Sequence, residues 1–343
     1  MYNPIYTDYD RQVYEKELCG FLPDKFVDAH VHIWTNTMTR QGKSNGGVSW
    51  TRLMCDEMTG DQLMDTLNLF FLKQEVTPLV FGGCSQVLKE CNDYVLAESS
   101  RIGFPTLFRT EYSMPADFVE QEVLRGGFLG LKPYQTNCPE YIPANEIRIF
   151  DFLPHSHLEM ANKHGWIVML HIARPQRLRD PVNIAQLMEI EEKYPNVKLI
   201  VAHIGRAYSP HDVGNAFEIL KNTKNMCFDF TANLCDEAME ACLQAVGTKR
   251  LMFGSDLPIA IMRMYRDFDP DTGFYYNHLP RGLYPGAEGS DPHIKISDRE
   301  DITLMIYESI LAFKRTATKL KLTDSQIEDV MNNNALRLIN ACK

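Results

Sequence analysis

The sequence predicts an α/β chain closed into a (β/α)8 TIM barrel, with an N-terminal extension, a long loop after the eighth strand and a C-terminal helix. Eight short, nearly continuous apolar runs bounded by Gly, Pro or Asn recur at 26–32, 77–81, 106–112, 128–132, 167–171, 197–203, 226–230 and 251–255. The gaps between them hold segments of helical period, clearest at 59–74, 86–100 and 181–194. Eight strand-helix units over roughly 250 residues fit a closed barrel better than an open doubly wound sheet.

Each element has its own reason. The runs lack the polar alternation of half-exposed strands, so they read as strands buried on both faces, and the helices between them make the sheet parallel. Residues 1–25 precede the repeat as an aromatic and charged leader. The stretch 35–58 after the first strand is long, and 262–298 after the eighth is rich in Gly, Pro and Tyr, including Tyr275, Tyr276 and Tyr284. Both loops open at the strand C-terminal face, where barrel enzymes build their sites, as pocket walls or as homo-oligomer contacts. The end of the chain, 320–342, starts a helix at Thr323-Asp324 and carries the stripe Ile327, Val330, Met331. All 343 residues are therefore assigned to one barrel domain with trim at both ends.

Composition narrows the function. Residues of the apolar set make up 45% and charged ones 23%, ample for a folded core, and the net charge of −10 comes without a basic run that could follow a phosphate backbone. No nucleic-acid partner is expected, and a small-molecule substrate is. No apolar stretch approaches the ~18 residues of a membrane span, and the opening residues lack the basic-then-apolar order of a signal peptide, so a cytoplasmic location is expected. Nine cysteines without paired spacing read as reduced, packed thiols.

The first run ends Asp28-Ala-His30-Val-His32. Side chains on a strand repeat every second residue, so His30 and His32 project to one side and can share an ion, or they are two core histidines satisfied by backbone carbonyls. His171 ends the fifth run, His203 the sixth and Asp256 the eighth, all at strand C-termini. A closed parallel barrel brings every strand C-terminus to one rim, so these five residues converge. His155 and His157 repeat the spacing inside a helical segment, where positions two apart diverge, and are discounted.

These residues resemble the amidohydrolase superfamily, in its amidohydrolase-related branch of lactonases and decarboxylases. The resemblance spans roughly 26–340 and rests on Val27-Asp-Ala-His-Val-His-Ile33, His171, Ala202-His-Ile-Gly205, Gly254-Ser-Asp256 and Asn334-Ala-Leu-Arg-Leu338. It implies that His30, His32, His171 and Asp256 hold one divalent metal ion, zinc ahead of manganese, with His203 beside it as a polarising or proton-handling group. Lys132 has three readings: a cation for an anionic substrate, a structural ion pair, or the carboxylated bridge of two-metal relatives.

Around the same rim, Arg109, Tyr134, Arg174 and Arg206 are substrate-binding candidates, because guanidinium forks carboxylates; the alternative is that each arginine pairs with an acid on an outer helix. Trp34 walls the pocket or simply packs. The expected activity is hydrolysis of a small anionic ester, lactone or amide by a metal-activated water, with Asp256 carrying the proton and His203 stabilising the oxyanion. Decarboxylation of a small unsaturated or aromatic acid is the rival, and a catalytically silent binding barrel ranks last.

Overall fold

The computed structural model describes residues 6–38, 54–83 and 88–342. A strand forms in each of the eight apolar runs: β1 (Lys25–Ile33), β2 (Glu75–Gly82), β3 (Phe108–Thr110), β4 (Gly130–Pro133), β5 (Ile167–Leu170), β6 (Lys198–Val201), β7 (Cys227–Asp229) and β8 (Leu251–Met252). β1 pairs with β2, and β3 to β8 pair in chain order, all parallel.

Shorter contacts carry the ring across the two seams. Val80 bridges Thr106 between β2 and β3, and the Leu107 N–H donates to the Val80 carbonyl at 3.0 Å. On the other side Val31 bridges Leu257, the Ala29 and His32 N–H groups donate to Phe253 (3.0 Å) and Leu257 (2.9 Å), and Asp256 N–H donates to His30 (2.9 Å). The fold is the expected (β/α)8 barrel, with one apolar cluster inside the ring (Ala29, Leu79, Phe81, Met169, Ile200, Met252) and a larger one between strands and helices.

The interior is set by an irregularity in β1. Asp28 faces Pro78, but Val31 faces Val80, so three steps on β1 match two on β2. One extra residue in a strand inverts the inward and outward faces beyond it. Val27 and Ala29 therefore pack in the barrel interior, while His30 and His32, of opposite parity, also turn inward to contact Phe81. Val31 and Ile33 join the outer cluster.

Three details depart from the sequence reading. β6 stops at Val201 and β8 at Met252, so His203 and Asp256 stand beyond their strands, both in the left-handed region (φ 59° and 69°). His203 opens a run of four such residues through Arg206, where the chain turns off the sheet. Second, 262–298 is not plain loop: β9 (Tyr265–Phe268), β10 (Tyr275–Pro280) and β11 (Ile294–Ser297) form a small sheet with β10 in the middle. Its first hairpin closes where the Asp269 carboxylate accepts the Asp271 and Thr272 N–H groups (2.9 Å each) and Gly273 takes φ 69°, a turn signal the glycine content obscured. Third, most of the first expected loop, 39–53, and the start of the 86–100 helix lie outside the described residues; that helix is seen as Leu88–Ile102, and Trp34 and Met58 pair across the base of the loop.

Both chain ends brace the barrel. At the C-terminus, Thr323 caps the Asp324–Glu328 helix as expected. The following Asn334–Asn340 helix places Ala335, Leu338 and Ile339 against the barrel interior, and the Asn334 amide donates to the Thr248 and Leu251 carbonyls at 2.7 Å each. At the N-terminus, Thr7 caps the Asp8–Val13 helix, and the buried Asp10 carboxylate accepts from Thr303 (2.7 Å) and from both terminal nitrogens of Arg263, which sits just before β9. The extension is thus tied to the base of the inserted sheet. Breaking a buried ion pair from one side leaves an uncompensated charge, so Asp10→Ala should lower unfolding free energy by about 3–5 kcal/mol in urea titration, whereas a loss under 1 kcal/mol contradicts this tie.

Candidate active site

At the C-terminal mouth of the ring, side chains from β1, β4, β7 and the segments after β5, β6 and β8 meet. His30, His32 and Asp256 offer ligand atoms that all lie within 4.8 Å of one another. The His32 Nε2 is 2.9 Å from Asp256 Oδ1, and the His30 Nε2 is 3.7 Å from the same oxygen. His203 packs between two of the other histidines, tilted against His30 at 5.0 Å between ring centres and edge to face with His171 at 5.0 Å.

The hydrogen bonds select the tautomers. Asp229, fully buried at the end of β7, accepts from His30 Nδ1 (3.1 Å), from the His203 backbone N–H (2.7 Å) and from the Thr231 N–H (3.1 Å). With its Nδ1 proton on Asp229, His30 turns the lone pair of Nε2 towards Asp256. His203 donates Nδ1–H to the Thr231 carbonyl (2.9 Å), and its Nε2 makes no hydrogen bond to a described residue. His32 Nδ1 is engaged by the Tyr134 hydroxyl (3.1 Å) and the Gly82 carbonyl (3.5 Å), leaving Nε2 to face Asp256.

Electrostatics hold these groups in ligand form. Burial, then the charge of Lys132, keeps His30 well below the ordinary histidine range; burial, then His203 and Arg206, does the same to His171. His32 is lowered by burial, against the pull of Asp256. Burial alone would raise the Asp256 carboxyl, but the His32 hydrogen bond and the neighbouring imidazoles outweigh it and hold it at about 2. Asp28, in the β1 irregularity, accepts from the Ser255 (2.8 Å) and His30 (3.3 Å) N–H groups while burial pushes it up to about 7.

Buried imidazoles whose Nε2 atoms gather beside an ionised carboxylate are the donor set that a divalent transition ion takes, in place of the present contacts of His32 with Asp256 and of His30 with Lys132. The His171 Nδ1 is buried and has no hydrogen-bond partner among the described residues, an orphan acceptor of the kind an ion would satisfy. His30, His32, Asp256 and His171 therefore fit such an ion, although His171 lies outside the tight three-residue cluster.

The substrate candidates divide. Lys132 is fully buried, with Nζ 3.3 Å from His30 Nε2 and over the rings of Phe81 and Tyr134. Tyr134 touches His32, and Arg109 stacks on the Tyr134 ring, 5.5 Å from its centre. Arg174 instead shares its Nε–H between both carboxylate oxygens of Asp180, the cap of the Pro181–Lys193 helix, at 3.0 Å each, which is the outer-helix pairing left open above. Arg206 donates to the Ala173 carbonyl (3.0 Å), and Trp34 is buried with its indole N–H on the Asp56 carbonyl (2.9 Å). The discounted pair diverges as expected: His155 meets Tyr194 and His157 the Met114 carbonyl. Sequence reading missed Asp229, although it ends its strand as a lone acid, the same signal that singled out Asp256.

A barrel whose strand ends gather histidines and an aspartate in this way has the form of an amidohydrolase-type enzyme, a class whose members are usually metal-dependent. The chain belongs to the amidohydrolase family: the family model described as Amidohydrolase matches residues 27–340. No curated protein matches the sequence. Among solved structures, an amidohydrolase from Burkholderia multivorans with bound zinc shares 12% identity at a TM-score of 0.61, covering 92% of this chain and 99% of that one. A probable 2-pyrone-4,6-dicarboxylic acid hydrolase from Acinetobacter baumannii with citric acid bound shares 13% at 0.57, covering 92% and 99%. The 2,6-dihydroxybenzoate decarboxylase complexed with 2,6-dihydroxybenzoate shares 14% at 0.57, covering 93% and 100%. At such identities the likeness is one of fold.

Two measurements check the site. A His30→Ala, His32→Ala double variant should lose bound divalent metal in elemental analysis, and full occupancy in it would rule out this ligand set. Asp229→Ala should weaken metal affinity by roughly 10- to 100-fold, as removal of a ligand-orienting carboxylate does; an unchanged affinity would show that His30 is oriented without it.

Proposed function

We propose that the protein is a cytoplasmic hydrolase of a small anionic ester, lactone or amide, working with one divalent ion, zinc ahead of manganese, held by His30, His32, His171 and Asp256. The observation that supports it most is the Asp256 carboxylate, ionised near neutral pH and set against the Nε2 atoms of both β1 histidines. An ion bound there supplies Lewis acidity and lowers the pKa of water towards ~7.

The chain's own groups do the rest. Asp256, as a carboxylate, accepts a proton from the attacking water as the new carbon–oxygen bond forms. It then delivers that proton to the leaving oxygen or nitrogen as the acyl bond breaks. His203 is positioned by two hydrogen bonds on its backbone N and Nδ1, which direct Nε2 to the oxyanion that develops. The Lys132 ammonium, beside His30, supports an anionic substrate. It also sustains a second reading, decarboxylation, in which that cation holds the carboxylate to be lost and an acid protonates the carbon.

His203→Asn should retain most of the metal while turnover falls ~10²- to 10⁴-fold; joint loss of metal and activity would instead make His203 a ligand. Running the reaction in oxygen-18 water separates the two chemistries. Label in a new carboxylate without CO2 is expected, whereas stoichiometric CO2 with a solvent-derived hydrogen on carbon would establish the decarboxylase.

A further inference from the structure

Asp256 belongs to a second feature besides the histidine cluster. With Tyr208, Arg266, Tyr275 and Asn277 it lines a cavity of about 120 Å³, reached by the inserted sheet from one side and by the turn after β6 from the other. The volume suits a small acid headgroup.

Arg266, on β9, is fixed as a plane. Its Nε–H donates to Asn277 Oδ1 (2.8 Å) and an Nη1–H to the Ala232 carbonyl (3.0 Å), and its guanidinium lies over the Tyr208 and Tyr275 rings, 4.4 and 5.1 Å from their centres. Arg177 lies over the same two rings at 5.3 and 4.6 Å. The two cations differ in one respect. Arg177 has the Asp212 carboxylate at 2.6 Å, whereas no carboxylate of the described residues lies within ion-pair distance of Arg266. The Tyr208 and Tyr275 hydroxyls likewise make no hydrogen bond to a described residue.

A half-buried guanidinium without a counter-charge still favours an anion, and two of its donor edges face neutral carbonyl oxygens only. Remaining N–H groups and two unengaged phenols around one small cavity form a complementary set for a planar anion. We propose that Arg266, with the Tyr208 and Tyr275 hydroxyls, is a carboxylate site that anchors a second acid group of the substrate while the reacting carbon is presented at Asp256. The substrate is then a small acid bearing a carboxylate remote from the bond that is broken. This rests on the reading of the Asp256 cluster as the reaction centre, and it holds for either chemistry.

The test is a calorimetric titration of metal-loaded protein with glutarate, its half-amide 5-amino-5-oxopentanoate and glutaramide. Glutarate should bind the unmodified protein on the order of 10- to 100-fold tighter than the half-amide, the range of one charge-assisted fork. Arg266→Met should remove that preference while half-amide binding and metal content hold, Arg266→Lys should restore part of it, and the Tyr208→Phe, Tyr275→Phe variant, which keeps both rings, should reduce it several-fold. A preserved preference in Arg266→Met overturns the proposal. So does equal loss for all three compounds together with a lowered Tm, which would make Arg266 a brace for the inserted sheet. Because no turnover is read, failure here leaves the metal site and the oxygen-18 outcome untouched.

Discussion

A carboxylate with no solvent contact must find donors for both oxygens, and Asp229 finds three from three directions: the His30 ring on β1, the His203 backbone beyond β6, and the Thr231 N–H beyond its own strand. Much of the mouth of the barrel depends on this arrangement. It sets the proton of His30 on Nδ1 and so leaves Nε2 for a ligand. It also holds the start of the left-handed turn at His203, a conformation that costs side-chain-bearing residues roughly 1–2 kcal/mol each and persists only where the surroundings enforce it.

The β1 irregularity complements this. A regular strand that buried Val27 and Ala29 in the interior would direct His30 and His32 outward into the helices. The extra residue lets one strand contribute small apolar side chains to the packed interior and imidazoles to the mouth. Asp28 stabilises the distortion by accepting the N–H groups of Ser255 and His30, linking β1 to the segment that carries Asp256. The approach of His30, His32 and Asp256 to one another is therefore a property of the seam where the ring closes.

Around this centre the chain distributes its cations unequally. Arg174 and Arg177 are neutralised by Asp180 and Asp212, both on elements of the outer layer. Lys132 and Arg266 instead lie against the histidine cluster and the adjoining cavity. Positive charge that is buried, as at Lys132, or half-buried, as at Arg266, favours an anion over a neutral ligand more strongly than the same charge at the surface. The N-terminal extension contributes indirectly, through Asp10 on Arg263, by securing the base of the sheet that carries Arg266.

The order of eight apolar runs determined the barrel, and the position of His30, His32, His171, His203 and Asp256 at or just after the runs announced the mouth, because strand polarity alone sends those positions to one rim. Asp229 was equally legible by that rule, its role hidden only because a lone acid ending a strand does not declare which ring it orients. Which histidines approach within ligand distance, and that Arg174 faces outward while Arg266 faces the cavity, was decided by the tertiary structure. Those outcomes hang on a one-residue slip in β1 and on a hairpin folded back from residues 262–298, and both arise from contacts between segments far apart in the chain, which no local pattern of residues encodes.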